Sequence, residues 1–124
     1  MILIDSDIII WLLRGEAIYK NKFSIAVERF KAQVFITPIQ YVEIIAGVKE
    51  KIDTEIFLDS LRIINIDKEV GKLAGEFMRL YRKSHNVHGA DSIVAAVAKI
   101  HNCKLWTNNK KHFPMLAEEE FYTA

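Results

Sequence analysis

The stretch "MILIDSDIII", residues 1–10, places two carboxylates inside what reads as the first core strand. "ILI" is an apolar run, Asp5 and Asp7 interrupt it, and the apolar residues then resume. A buried, unpaired carboxylate costs several kcal/mol or takes up a proton. A cap, a cation or a metal must therefore compensate these charges. If the strand ends at Asp5, the first acid stands at a strand's carboxyl end. The second then precedes "IIIWLLRG", a short helical run closed by Gly15. Asp7 reads as the N-cap of that helix, which frees Asp5 for a functional role; the alternative for Asp5 is a turn or cap.

Three more stretches have the same short, apolar or β-branched character: "VFIT" at 34–37, "RIINI" at 62–66 and "KLWT" at 104–107. Such runs suit a parallel sheet covered on both faces. "FYT" near the C-terminus is a fifth candidate. Helical patterns separate them. Phe23, Ala26, Val27 and Phe30 follow i, i+3, i+4, i+7 spacing, and Val70, Leu73, Ala74 and Phe77 repeat it. "TPIQ" predicts a helix start, with Thr37 as N-cap, Pro38 in the first turn and Gln40 completing a capping box. "ADSIVAAVAKI" is apolar nearly all round, so its helix should be deeply buried. Strands alternating with helices predict βαβ units and an α/β fold.

The 124 residues predict one domain, residues 1–124, with 51% hydrophobic and 27% charged residues. One cysteine excludes an intrachain disulfide; Cys103 reads as part of a buried strand edge. No apolar stretch reaches the length of a membrane span. The first apolar run lacks a basic flank, so it does not read as a signal peptide. The expected location is the cytoplasm. A net charge of +1 neither announces nor excludes nucleic-acid binding. Trp11, Trp106 and the phenylalanines read as core rather than as stacking platforms. His85 and His88 lack a third ligand for zinc.

Ligands of open α/β sheets bind outside the carboxyl ends of the strands. Asp5 falls there. Glu43 sits in "PIQYVEIIAGV", a helix apolar on several sides, so it is expected to point into a pocket; the alternative is an exposed or Lys-paired glutamate. Asp91 opens the "ADSIVAAVA" helix and can cap it, act in the cleft, or both, with Ser92 a competing cap. Thr107 and Asn109 follow the last strand, beside Lys110, Lys111 and His112. Three carboxylates in one pocket stay ionised only if a cation neutralises them. Oxygen ligands of this kind suit Mg²⁺ or Mn²⁺.

The segments "LIDSDIIIWLLRG", "ITPIQYVEIIAG", "GADSIVAAVA" and "LWTNNKKHFP" together resemble the PIN-domain proteins, specifically the small VapC-type ribonuclease toxins of toxin–antitoxin pairs. The resemblance spans essentially the whole chain. It implies a three-layer α/β/α sandwich around a mainly parallel sheet of order 3-2-1-4-5. It also implies Mg²⁺- or Mn²⁺-dependent endoribonuclease activity, a homodimer and a cognate antitoxin. The surface helices at 18–32 and 51–60 are candidate dimer surfaces. Asp5, Glu43 and Asp91 would take the places of the metal-binding acids. Asn109 stands where many relatives carry Asp, and His112 where a second Asp is frequent. Both changes remove negative charge and imply one firmly held ion. Asn109 would orient a water or contact phosphate, Ser6 and Thr107 would steady the carboxylates, Asp7 could reach a metal-bound water, and Lys110 and Lys111 could meet flanking phosphates. Two other readings stay open: a PIN-fold binding module without activity, and an Asp-based phosphatase or phosphoacceptor using the "DSD" pair.

Overall fold

A computed structural model describes all residues, Met1–Ala124. Four strands form one parallel sheet: β1 (Ile2–Ile4), β2 (Val34–Ile36), β3 (Arg62–Ile63) and β4 (Lys104–Trp106). Their spatial order is β3-β2-β1-β4. Ile2 pairs with Val34 on one side and Lys104 on the other, so β1 is central. The order reverses next to β1: the chain runs outward through β2 to β3 and then returns as β4 on the other side of β1. The fifth position of the expected order is held by a single parallel bridge, Leu105 to Phe121, extended by the Tyr122 N–H donating to the Leu105 carbonyl at 2.8 Å.

Side chains alternate across β1. Leu3 joins one buried cluster with Val70, Ala74, Phe77 and the whole 94–98 run. Ile2 and Ile4 join the other with Ile8, Ile9, Ala26, Ile44 and Leu58. All three strand residues are fully buried, each contributing about 1.5–3 kcal/mol of transfer free energy. Helices α5 (Lys68–His85) and α6 (Gly89–Ile100) cover the first face. Helices α1 (Ser6–Leu13), α2 (Ala17–Arg29), α3 (Pro38–Ile45) and α4 (Lys51–Asp59) cover the second. The result is the expected three-layer α/β/α arrangement.

Local signals explain most boundaries. Thr37 caps α3, its Oγ1 accepting from the Ile39 N–H, and Gln40 Oε1 accepts from the Thr37 N–H. Asp67 caps α5 by accepting from Val70. Gly15 takes φ +81° just after α1, a conformation that favours glycine.

Four expectations need correction. The "RIINI" stretch is not a buried strand: β3 keeps only Arg62 and Ile63, both exposed, because it lies at the sheet edge. Only Ile64 behind it is buried, its N–H donating to Ile36. The cap of α1 is Asp5, not Asp7. Asp91 does not open its helix: α6 begins at Gly89 with His88 as N-cap, and Asp91 is its third residue. Finally, Trp11 is not core. It is 38% exposed, while Trp106 is buried against Tyr122.

Candidate active site

Asp5 leaves the end of β1 with its backbone still in the sheet, its N–H donating to the Trp106 carbonyl at 3.0 Å. Its carboxylate caps α1, Oδ1 accepting from the Ser6 N–H at 2.9 Å. The other oxygen accepts from the Thr107 hydroxyl at 2.8 Å. Thr107 is the residue after β4, so Asp5 bridges the two strands flanking the point where the order reverses. A carboxylate offers about four lone-pair sites. Two of those on Asp5 are taken by the protein, and the others carry no protein donor.

Asp7 does different work. Its Oδ1 accepts from the Ile8 N–H, and its Oδ2 accepts from the Asn108 N–H at 2.9 Å and from Asn109 Nδ2 at 3.0 Å. The Asn109 N–H in turn donates to Thr107 Oγ1 at 3.0 Å. Asp7 thus ties the 107–109 loop to α1, with most of its acceptor capacity already used.

Glu43 is exposed, against expectation. Helix α3 is apolar on several sides, but only the side bearing Gln40 and Ile44 is buried; Val42 beside Glu43 is 67% exposed. Glu43 is nevertheless held at the site. The Ser6 hydroxyl donates to Glu43 Oε1 at 2.8 Å, linking α1 to α3. Glu43 also stands on the rim of a groove of about 670 Å³ whose walls include Ile10, Leu13 and Ile44.

Gln40 is a further positioning residue that sequence reasoning places only in the capping box. Fully buried, it also donates from Nε2 to the Ile4 carbonyl at 2.8 Å. That bond anchors the start of α3 to the last residue of β1, immediately before Asp5. A glutamine one turn into a helix that follows a core strand is the available signal.

Electrostatics divide the acids into two groups. Burial, with the charges of Asp7 and Glu43 added, pushes the Asp5 carboxyl up to about 7, against the lowering effect of its two donors. Burial likewise raises Asp7, opposed by the Asn108 and Ile8 N–H groups. Asp91 is also raised by burial, but the charges acting on it are the favourable ones of His112 and His88. Asp5, Asp7 and Glu43 form one like-charged cluster, while Asp91 stands with two histidines. No three carboxylate, imidazole or thiol side chains converge closely enough to hold a metal ion between them as they stand.

The remaining predicted residues separate. Lys110 Nζ is paired with Glu118 at 2.7 Å and lies 5.2 Å from the Phe121 ring centroid, which commits it to the C-terminal segment. Lys111 and His112 are exposed. The Ser92 hydroxyl, buried beside Asp91, has no hydrogen-bond partner.

The PIN-domain profile matches residues 2–119. The ribonuclease VapC10 of Mycobacterium tuberculosis is 34% identical over 121 residues, covering 95% of this chain and 90% of that protein. The ribonuclease VapC19 of the same organism is 27% identical over 121 residues, covering 95% and 96%. Among solved structures, a toxin–antitoxin complex from Klebsiella pneumoniae superposes with a TM-score of 0.79 at 26% identity, covering 99% of this chain and 97% of that one. With the family profile matching residues 2–119 and a relative 34% identical over 95% of the chain, the chain belongs to the PIN-domain family.

Proposed function

We propose that the chain is a divalent-metal-dependent endoribonuclease and the toxin of a toxin–antitoxin pair. The observation that carries this reading is the placement of Asp5. A carboxylate at the end of the central strand is held near the two other acids Asp7 and Glu43, with no cation of the protein's own to balance it. The relatives called ribonucleases and the toxin–antitoxin neighbour support the same reading.

The donor set is chemically suited to a hard divalent cation. Asp5 and Glu43 offer only oxygen, and each keeps an acceptor site unused by the protein. Asp5, Glu43 and Asp91 would hold Mg²⁺ or Mn²⁺. Such an ion supplies charge stabilisation at a phosphodiester and a nucleophilic water near neutral pH.

The chain's own residues do the rest. Thr107 and the Ser6 N–H fix the Asp5 carboxylate, and the Ser6 hydroxyl fixes Glu43. Asp7 and Thr107 hold the 107–109 loop, and Asn109, its Nδ2 donating to Asp7, would orient a water or contact a phosphate. His112 and His88 sit beside Asp91 and lower the negative charge on that side, which favours one firmly bound ion. A cytoplasmic homodimer of one domain per chain, controlled by its antitoxin, completes the proposal.

The test is cleavage of a panel of structured RNAs by the parent and by Asp5→Asn, each with Mg²⁺, Mn²⁺ and EDTA. Metal-dependent cleavage by the parent alone is the expected result. Equal cleavage by Asp5→Asn would sink the assignment of Asp5.

A further inference from the structure

Helix α1 carries a second feature running outward from the acids. Asp7, Trp11 and Arg14 follow i, i+4, i+7 spacing, so they share one helical face. Trp11 lies nearly parallel to Tyr19 of α2, with planes 13° apart and centroids 6.1 Å apart. The Arg14 guanidinium stands 5.1 Å from the Trp11 ring centroid, and Lys22 Nζ 5.8 Å from that of Tyr19. Neither cation pairs with a carboxylate. The Tyr19 hydroxyl accepts from Asn108 Nδ2 at 2.8 Å, and the Asn108 N–H is held by Asp7. The aromatic pair is thus tied directly to the loop that builds the acidic site.

We infer that Trp11 and Tyr19, with Arg14 and Lys22, form a stacking platform for single-stranded RNA next to the cleavage position. This rests on the ribonuclease reading above. Every base has a π-face, so stacking on Trp or Tyr tolerates any sequence, and a guanidinium plane stacks as well. Two uncommitted cations match the phosphates between stacked bases. In a duplex the base faces are already occupied by neighbouring bases, so the platform selects single strands. The Trp11 ring is exposed and Tyr19 is half-buried, so Trp11 offers the ring that a base can reach.

The protein's two tryptophans make a direct test, because Trp106 is buried and serves as the internal reference. An oligouridylate of about ten nucleotides is titrated into the parent, Trp11→Phe and Trp11→Ala in EDTA, with tryptophan fluorescence as readout; a blunt duplex RNA serves as the comparison. Cleavage of the single strand is then measured with Mn²⁺. Quenching in the parent by single-stranded RNA alone is expected. Trp11→Ala should weaken binding and raise KM about tenfold with kcat within a factor of two, and Trp11→Phe should restore most of both. The binding arm is read without metal, so a parent that binds but does not cut refutes the ribonuclease reading and leaves the platform standing. Equal quenching by duplex RNA, no quenching, or an unchanged KM in Trp11→Ala overturns the platform.

Discussion

The hydroxyl of Ser6 donates to the carboxylate of Glu43 across 2.8 Å, joining the first turn of α1 to the second turn of α3. Ser6 is buried, and Glu43 is exposed. An exposed glutamate samples many rotamers, so a single buried donor decides how often it faces the cleft. Ser6→Ala should therefore lower kcat by about 10- to 100-fold while the melting temperature moves by no more than a few degrees. Steady-state cleavage alongside thermal unfolding checks this; activity within twofold of the parent would show that Glu43 needs no such guide.

Asp5 links protonation to stability. In the metal-free protein its carboxyl is pushed from 3.8 up to about 7, so between these values the folded state holds a proton that the unfolded chain has released. The stabilising contribution is complete below the unfolded value and is lost as pH rises through about 7. In EDTA, the parent's Tm should fall relative to that of Asp5→Asn between about pH 5 and pH 8. At the upper end the variant should be at least as stable as the parent. A difference independent of pH would contradict the charge state assigned to Asp5.

Divalent cations should reverse that loss. An ion bound only by the folded state stabilises it by about 2.7 kcal/mol at a hundred times its Kd. At pH 8, Mn²⁺ or Mg²⁺ should raise the parent's Tm by several degrees and leave Asp5→Asn nearly unmoved. Differential scanning fluorimetry with and without EDTA gives the answer. Equal shifts in both proteins would place the ion elsewhere.

Asp7→Ala removes the acceptor for Asn108 and Asn109 together. The 107–109 loop should loosen, which amide hydrogen exchange would register at residues 108–109, and cleavage should fall at least tenfold. Unchanged protection of those amides would mean that Thr107 alone holds the loop.

Gln40→Leu keeps the volume but leaves the Ile4 carbonyl and the Thr37 N–H without their partner in a fully buried site. The expected cost is about 2–4 kcal/mol, read by urea denaturation. A cost below about 0.5 kcal/mol would show that water takes over the Gln40 contacts.

Strands β1, β2 and β4 and the start of α3 were legible because their signals are local. "ILI", "VFI" and "KLW" are short apolar runs, and Thr37 with Gln40 is a capping pattern that needs no partner from afar. Asp5 could also be placed, since the end of an apolar run is visible in one dimension. What escaped depends on which side of an element meets another. Residues 39–48 are apolar all round, and nothing local says that α3 leaves Val42 and Glu43 exposed. Asp5 and Asp7 are both good caps, and both also bind loop 107–109, a contact about a hundred residues away in sequence that no local signal shows. Trp11 has the composition of core, and only the placement of α2 shows that its ring meets Tyr19 at the surface.

The central strand closes against its last neighbour across almost the full length of the chain, Ile2 pairing with Lys104 and Ile4 with Trp106. β1 is made well before the strand that completes its other edge. A nascent chain that stops before residue 104 leaves Asp5 without the Thr107 hydroxyl and Asp7 without the loop it holds. The fixed carboxylates therefore take their places only once β4 and the loop after it have been made, and a chain cut short of them lacks that order.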